Sequence, residues 1–234
     1  MQRVINFSGG KTSAYMTIHE YREGDLVIFC DTGREHPKTY KFINDFEAHE
    51  NIPVIRLKYE GGFEKLIEKR KAIPNKFKRF CTVELKIKTA RRYLRSLGLT
   101  KYENLVGFRY DEPLRVKRRK KMWKDVTDIF PLFDKKIDKQ IINHYWESKP
   151  YILEIPSILG NCTLCFMKGK NAIMSILSKY PELSDDWIKD EEKLGYTYLK
   201  DISIKQLKNI SSNNLFKDYD LDNIKPAFDC ACTS

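Results

Sequence analysis

An alternation between two kinds of segment constrains this chain most. Short apolar runs recur at 3–7 (RVINF), 25–31 (DLVIFCD), 53–59 (PVIRLKY) and 104–109 (NLVGFR). Between them stand stretches with helical spacing. One covers 11–22. A second covers 39–50, where Tyr40, Ile43, Phe46 and Glu47 recur. A third covers 84–98, with Ile87, Ala90, Leu94 and Leu97 on one face and Gly98 as its stop. The second apolar run has no polar face, as expected of a parallel strand covered by helices on both sides. Strands alternating with helices predict a doubly wound α/β sheet, with its ligand at the carboxyl ends of the strands. Polar groups gather at those ends: SGGKTS after the first run, DTG after the second, RYDE after the fourth.

S-G-G-K-T-S is too short for a Walker loop and lacks the spacing of the dinucleotide fingerprint. Gly9 and Gly10 nevertheless let backbone approach an anion closely. The amides of Gly10, Lys11 and Thr12 would then face a phosphate at a helix N-terminus. Ser8, Thr12 and Ser13 add hydroxyls, and Lys11 adds charge. The alternative is an ordinary glycine turn between a strand and a capped helix.

With 41% hydrophobic residues, the 234-residue chain can bury a core, and no apolar run is long enough to span a bilayer. The apolar stretch from residue 3 leaves no room for a signal peptide, so a cytoplasmic, non-membrane protein is expected. The net charge of +11 is uneven. Residues 65–124 hold 21 Lys and Arg against 5 Asp and Glu, and seven of the ten residues in RVKRRKKMWK (115–124) are cationic. Such a segment fits a phosphate-rich partner such as tRNA or DNA, or else a solvated loop. From about residue 134 the composition turns helical and rich in both charges, with no repeat and no Gly/Ser linker. Two units are expected, an α/β domain over 1–133 and a helical extension over 134–234 packed on it.

In a reducing compartment the six cysteines are not expected to form a disulfide framework. Cys162 and Cys165 form a Cys-x-x-Cys pair, Cys230 and Cys232 a Cys-x-Cys pair, and Cys81 begins a helix. Thiolates so spaced suit a four-iron four-sulfur cluster, a zinc ion or redox chemistry. Cys30, inside a strand, reads as a small core residue.

Six strings in order, SGGKTSAYM, FCDTGREHPKTYKFI, RFCTVELKIK, GFRYDEPLR, GNCTLCFMKGK and a late CAC, resemble the N-type ATP pyrophosphatase (PP-loop) superfamily. Within it they resemble the phosphoadenosine phosphosulfate (PAPS) reductase family. The resemblance implies an adenine-nucleotide α-hydrolase-like fold, with residues 1–133 as the nucleotide-binding domain. It makes Ser8, Gly9, Gly10, Lys11, Thr12 and Ser13 the pyrophosphate loop and sets Cys30, Asp31, Thr32 and Gly33 beside adenosine. Arg109, Asp111 and Glu112 would join Lys11 around the reacting phosphates. ATP, PAPS or adenosine phosphosulfate (APS) would be the nucleotide, with magnesium as a candidate ion. The superfamily pattern usually has Asp where this chain has Thr12. APS reductases hold a cluster between a Cys-Cys pair and a later Cys-x-x-Cys. Here Phe80-Cys81 replaces the pair, so Cys81, Cys162 and Cys165 carry over, with Cys230 or Cys232 as the fourth ligand. The tail DCACTS lacks the Gly and His of a PAPS reductase tail. Adenylation of an acceptor for sulfur transfer is therefore expected first. Reduction of PAPS or APS to sulfite, or a non-catalytic nucleic-acid-binding role, stands as the alternative. A sulfur-donor or thioredoxin-like protein and a second copy of the chain are candidate partners.

Overall fold

The computed structural model describes residues 1–119, 123–212, 220–222 and 224–228. The first half runs β1 (Gln2–Asn6), α1 (Lys11–Glu20), β2 (Leu26–Asp31), α2 (Pro37–Glu50), β3 (Ile55–Lys58) and α3 (Gly62–Arg70). A π-helical turn (Thr82–Ile87) leads into α4 (Lys88–Ser96), followed by β4 (Tyr102–Leu105), α5 (Pro113–Arg118), β5 (Val126–Ile129) and α6 (Pro131–Asp134). Then come α7 (Lys139–Glu147), α8 (Gly169–Lys179), α9 (Asp185–Leu194) and α10 (Ile204–Ser211).

The five strands form one parallel sheet in the order β3-β2-β1-β4-β5. Ile5 pairs with Val27 on one side and Leu105 on the other. Alternation along the strands sends Ile5, Val27, Phe29 and Leu105 to the face covered by α1, α2 and α7. Val4, Ile28, Tyr102 and Val126 point to the opposite face, under Leu94 of α4. Helices on both faces make the sheet doubly wound. Strand order reverses direction between β1 and β4, which is where such sheets open a ligand crevice.

Helix α2 shows how sequence dictates an element. Pro37 occupies the first turn, where a missing N–H costs nothing, and the His36 ring accepts the Lys38 amide at 3.1 Å. Phe42, Ile43 and Phe46 recur at helical spacing and are almost wholly buried. Each such side chain contributes about 1.5–3 kcal/mol on burial. Asn51, at φ 52°, ends the helix in the left-handed conformation that Asn tolerates.

A third cluster lies away from the sheet. Phe63, Leu66 and Ile67 of α3, Leu85 of the π-helical turn, and Ile173, Trp187, Tyr198 and Leu207 pack together there. Ile142 and Trp146 belong instead to the sheet's own core. We keep a division near 133/134 as a proposal about chain organisation, with the two cores sharing residues from both sides of it.

Two elements differ from expectation and two more were not expected. The helix predicted over 84–98 is a wide π-helical turn followed by α4. The strand expected over 104–109 begins earlier and ends sooner, at Tyr102–Leu105, with the Val106 amide still donating to the Ile129 carbonyl at 2.9 Å. Strand β5 and helix α3 carry periodicities too short to separate from the surrounding basic residues.

Candidate functional site

The turn after β1 is built from within. Ser13 is buried, and its Oγ accepts the Ser8 amide at 3.1 Å and the Gly10 amide at 3.3 Å. It also lies 3.0 Å from both Ser8 Oγ and the Gly10 carbonyl. The Ser13 hydroxyl thus holds the turn's shape. Gly9 has φ 74°, and a Cβ there would stand 2.7 Å from Thr39 Cγ2 and 3.2 Å from Ile43 Cδ1. Only glycine satisfies both the backbone and the packing of α2. Gly10 is the extended residue that starts α1, and no side chain caps the helix. The first N–H groups of α1 thereby suit an anion. Lys11 and Thr12 sit half-buried at this end. The Lys11 carbonyl accepts the Trp146 indole N–H at 3.0 Å. Burial pulls the Lys11 ammonium below the ordinary lysine range; Asp222 opposes this, and Lys139 adds to it.

The segment after β4 closes on the same place. A Cβ on Gly107 would lie 3.8 Å from Ser13 Cα and 3.7 Å from the Met16 sulfur, so the two loops adjoin. Arg109 grips Asp111 through Nε at 2.9 Å and Nη2 at 3.1 Å, while its Nη1 stands 3.6 Å from Glu112. Glu112 accepts the Arg109 amide at 3.1 Å and holds Arg115 at 2.6 Å. Burial pushes the Asp111 carboxyl up, but the hydrogen bonds and charge of Arg109 outweigh it and leave the group below its usual range. Lys11, Arg109, Asp111 and Glu112 therefore come from the two loops that flank the switch point.

The turn after β2 has a separate set of partners. Asp31 Oδ1 accepts the Gly33 amide and the Tyr40 hydroxyl, both at 2.7 Å, which closes the turn. Thr32 is buried, with its Oγ1 2.8 Å from Glu35 Oε1 and 3.3 Å from Cys162 Sγ. Glu35 also accepts the Thr32 amide at 3.1 Å, and burial raises its carboxyl against the pull of Lys86. Arg34 is buried and holds Asp190 at 2.7 Å and Asp186 at 2.9 Å, both on α9. Its carbonyl accepts the Thr163 amide at 2.9 Å. Gly33 is exposed at φ 74°. Arg34 and Glu35 were missed at the sequence level, although they directly follow D-T-G.

The family model described as the phosphoadenosine phosphosulfate reductase domain matches residues 2–149. The chain belongs to this family. An uncharacterized nin region protein of Escherichia phage lambda is 30% identical over 204 residues, which are 74% of this chain and 68% of that protein. Two uncharacterized proteins of Methanocaldococcus jannaschii are each 26% identical, over 79% and 82% of this chain. The chain spans 40% and 48% of their lengths. A crystal structure of phosphoadenylyl-sulfate reductase from Candida auris in complex with phosphate is 18% identical, with a TM-score of 0.47 over 64% of this chain and 75% of that one.

Within this PAPS reductase family chain the cysteines divide. Cys81, Cys162 and Cys165 all border the third core cluster, Cys165 inside it and Cys81 and Cys162 at its edge. Among the described residues, no three His, Cys, Asp or Glu side chains group as metal ligands. Cys230 and Cys232 lie outside the described residues. The described cysteines alone thus do not form the ligand set expected for a cluster or zinc. Cys30 packs against the core beneath α4, and burial pushes its thiol up to about 11.

Part of the basic segment's charge is engaged internally. Arg70 and Lys88 pair with Glu84, Arg115 with Glu112, and Arg119 with Asp128. Arg91 lies 4.0 Å from the centre of the Trp123 ring. No helix of the described residues is long and apolar enough to cross a membrane.

Proposed function

We propose that this chain binds an adenine nucleotide in the crevice between the ends of β1 and β4 and uses ATP to adenylate an acceptor for sulfur transfer. The observation that carries the reading is the Gly9–Gly10 turn: an uncapped helix N-terminus, shaped from inside by Ser13, adjoining the loop that bears Arg109. The α1 amides and Lys11 would hold the phosphates that depart. Arg109 would face the phosphorus under attack, an incoming phosphate competing with Asp111 for the guanidinium. An acceptor oxygen attacks the α-phosphorus, the bond to the bridging oxygen breaks, and pyrophosphate leaves with its charge stabilised by these donors. Magnesium bound with the triphosphate would keep most of its own water. The basic segment makes nucleic acid the favoured acceptor class.

The 3.3 Å approach of Cys162 to Thr32 supports a second reading, thiol-dependent reduction of PAPS or APS. Two product assays separate them. Pyrophosphate release from ATP that depends on Lys11 supports adenylation, whereas sulfite release from PAPS with thioredoxin and no pyrophosphate supports reduction. Nucleotide and nucleic-acid binding with neither product would leave an accessory role. Iron, acid-labile sulfide and zinc per chain, measured after anaerobic purification, test the metal centre separately. A centre held by the cysteine pairs is expected to be lost in a Cys162→Ser/Cys165→Ser variant.

A further inference from the structure

We infer that the turn at residues 75–78 is a docking platform for single-stranded nucleic acid, with Phe77 as the surface on which a base stacks. The inference rests on the acceptor reading above and names the surface and the strand form that reading leaves open.

The turn displays its tip deliberately. Asn75 Oδ1 accepts the amides of Phe77 and Lys78, both at 3.0 Å, and the Asn75 amide returns to the Lys78 carbonyl at 3.2 Å. This side-chain-closed turn holds Phe77 outward, 83% exposed, the most exposed large apolar side chain among the described residues. Lys76 lies 4.9 Å from the centre of its ring, leaving the other face open. Lys78 follows directly, and Lys69 and Lys71 are exposed at the end of α3. Whereas Arg70, Lys88, Arg115 and Arg119 are tied to carboxylates, Lys69, Lys71, Lys76 and Lys78 have no ion pair among the described residues. An open aromatic face between uncompensated ammonium groups matches the repeat of base and phosphate in a single strand. A duplex keeps its bases stacked inside and offers Phe77 nothing.

The platform also borders the cysteine-bearing face. Lys76 lies 5.6 Å from the Phe228 ring, and the Phe228 amide donates to the Met167 carbonyl at 3.1 Å, two residues beyond Cys165. In the other direction the turn runs through Phe80 into Cys81.

The test is fluorescence anisotropy of labelled single-stranded RNA, single-stranded DNA and duplex DNA, using the full chain and its Phe77→Ala and Lys76→Ala/Lys78→Ala variants. ATP binding by the same samples reports the fold and the nucleotide site independently. Single strands are expected to bind more tightly than duplex, with the RNA and DNA arms identifying the preferred sugar. Phe77→Ala should weaken single-strand binding by about tenfold or more. The double lysine variant should lower the salt slope by roughly 1.4. ATP binding should be unchanged in both. Single-strand affinity unaltered by Phe77→Ala, or polyglutamate competing as well as an oligonucleotide, would overturn the platform while leaving the nucleotide reading intact. Absence of any nucleic-acid binding would overturn it as well.

Discussion

At the end of β1, six consecutive residues make a self-contained turn, whereas at the end of β2 the facing groups come from four segments between Cys30 and Asp190. In the first region Ser8, Gly9, Gly10 and Ser13 satisfy one another locally, with α2 packing against the outside. In the second, Thr32 meets Cys162, Glu35 is influenced by Lys86, and Arg34 reaches across to α9. A local site depends mainly on its own backbone conformation. A site assembled from distant segments depends on whatever holds them together, here a buried arginine.

The largest expected effect is therefore in the second region. Replacing Arg34 by Met leaves the buried Asp190 carboxylate without its cation and should cost about 3–5 kcal/mol in urea unfolding. Asp186, more than half exposed, should cost about 1 kcal/mol or less when changed to Asn. Equal losses from the two would mean that α9 is not anchored through the buried pair.

In the first region the matching experiment is a single methyl group. Gly9→Ala meets a left-handed backbone cost of about 1–2 kcal/mol and overpacking against Thr39 of about 1–3 kcal/mol. Gly107→Ala meets only ordinary contacts at 3.7–3.8 Å and should be tolerated with little loss. Nucleotide titration and thermal unfolding of both variants check the contrast. A benign Gly9→Ala would show that the turn is less constrained than its packing indicates.

These contrasts also explain what could be read from the chain. Strand β2 was legible as an unbroken apolar run and helix α2 by its periodicity, and the SGGKTS turn stood out because its residues are contiguous. The partnership of Thr32 with Cys162 spans 130 residues and leaves no local pattern. The pairing of Arg34 with Asp190 spans 156 residues and leaves none either. The pairing of Arg115 with Glu112 and of Arg119 with Asp128 is likewise something that composition alone cannot assign.

Two smaller effects sharpen the comparison. Burial holds the Lys11 ammonium below the ordinary lysine range, so it loses its proton earlier than an exposed lysine as pH rises. Nucleotide affinity should fall on that alkaline limb in the native chain and persist to higher pH in Lys11→Arg. Superimposable pH profiles would remove Lys11 from the phosphate contacts. Cys30, with its thiol raised to about 11, should resist iodoacetamide near neutral pH until the chain unfolds, as mass spectrometry of alkylated peptides would show. Its rapid labelling in the native state would contradict the packing beneath α4.

The most direct measurement is calorimetric titration of ATP and of PAPS into the native chain, Lys11→Gln and Cys162→Ser. If the β1–β4 crevice holds the nucleotide phosphates, the native chain binds at least one of the two. Lys11→Gln should then bind it about tenfold or more weakly, as expected for a charge-assisted hydrogen bond, and Cys162→Ser should bind as the native chain does. Equal binding by native chain and Lys11→Gln, with loss in Cys162→Ser, would place the nucleotide at the cysteine face and contradict the assignment.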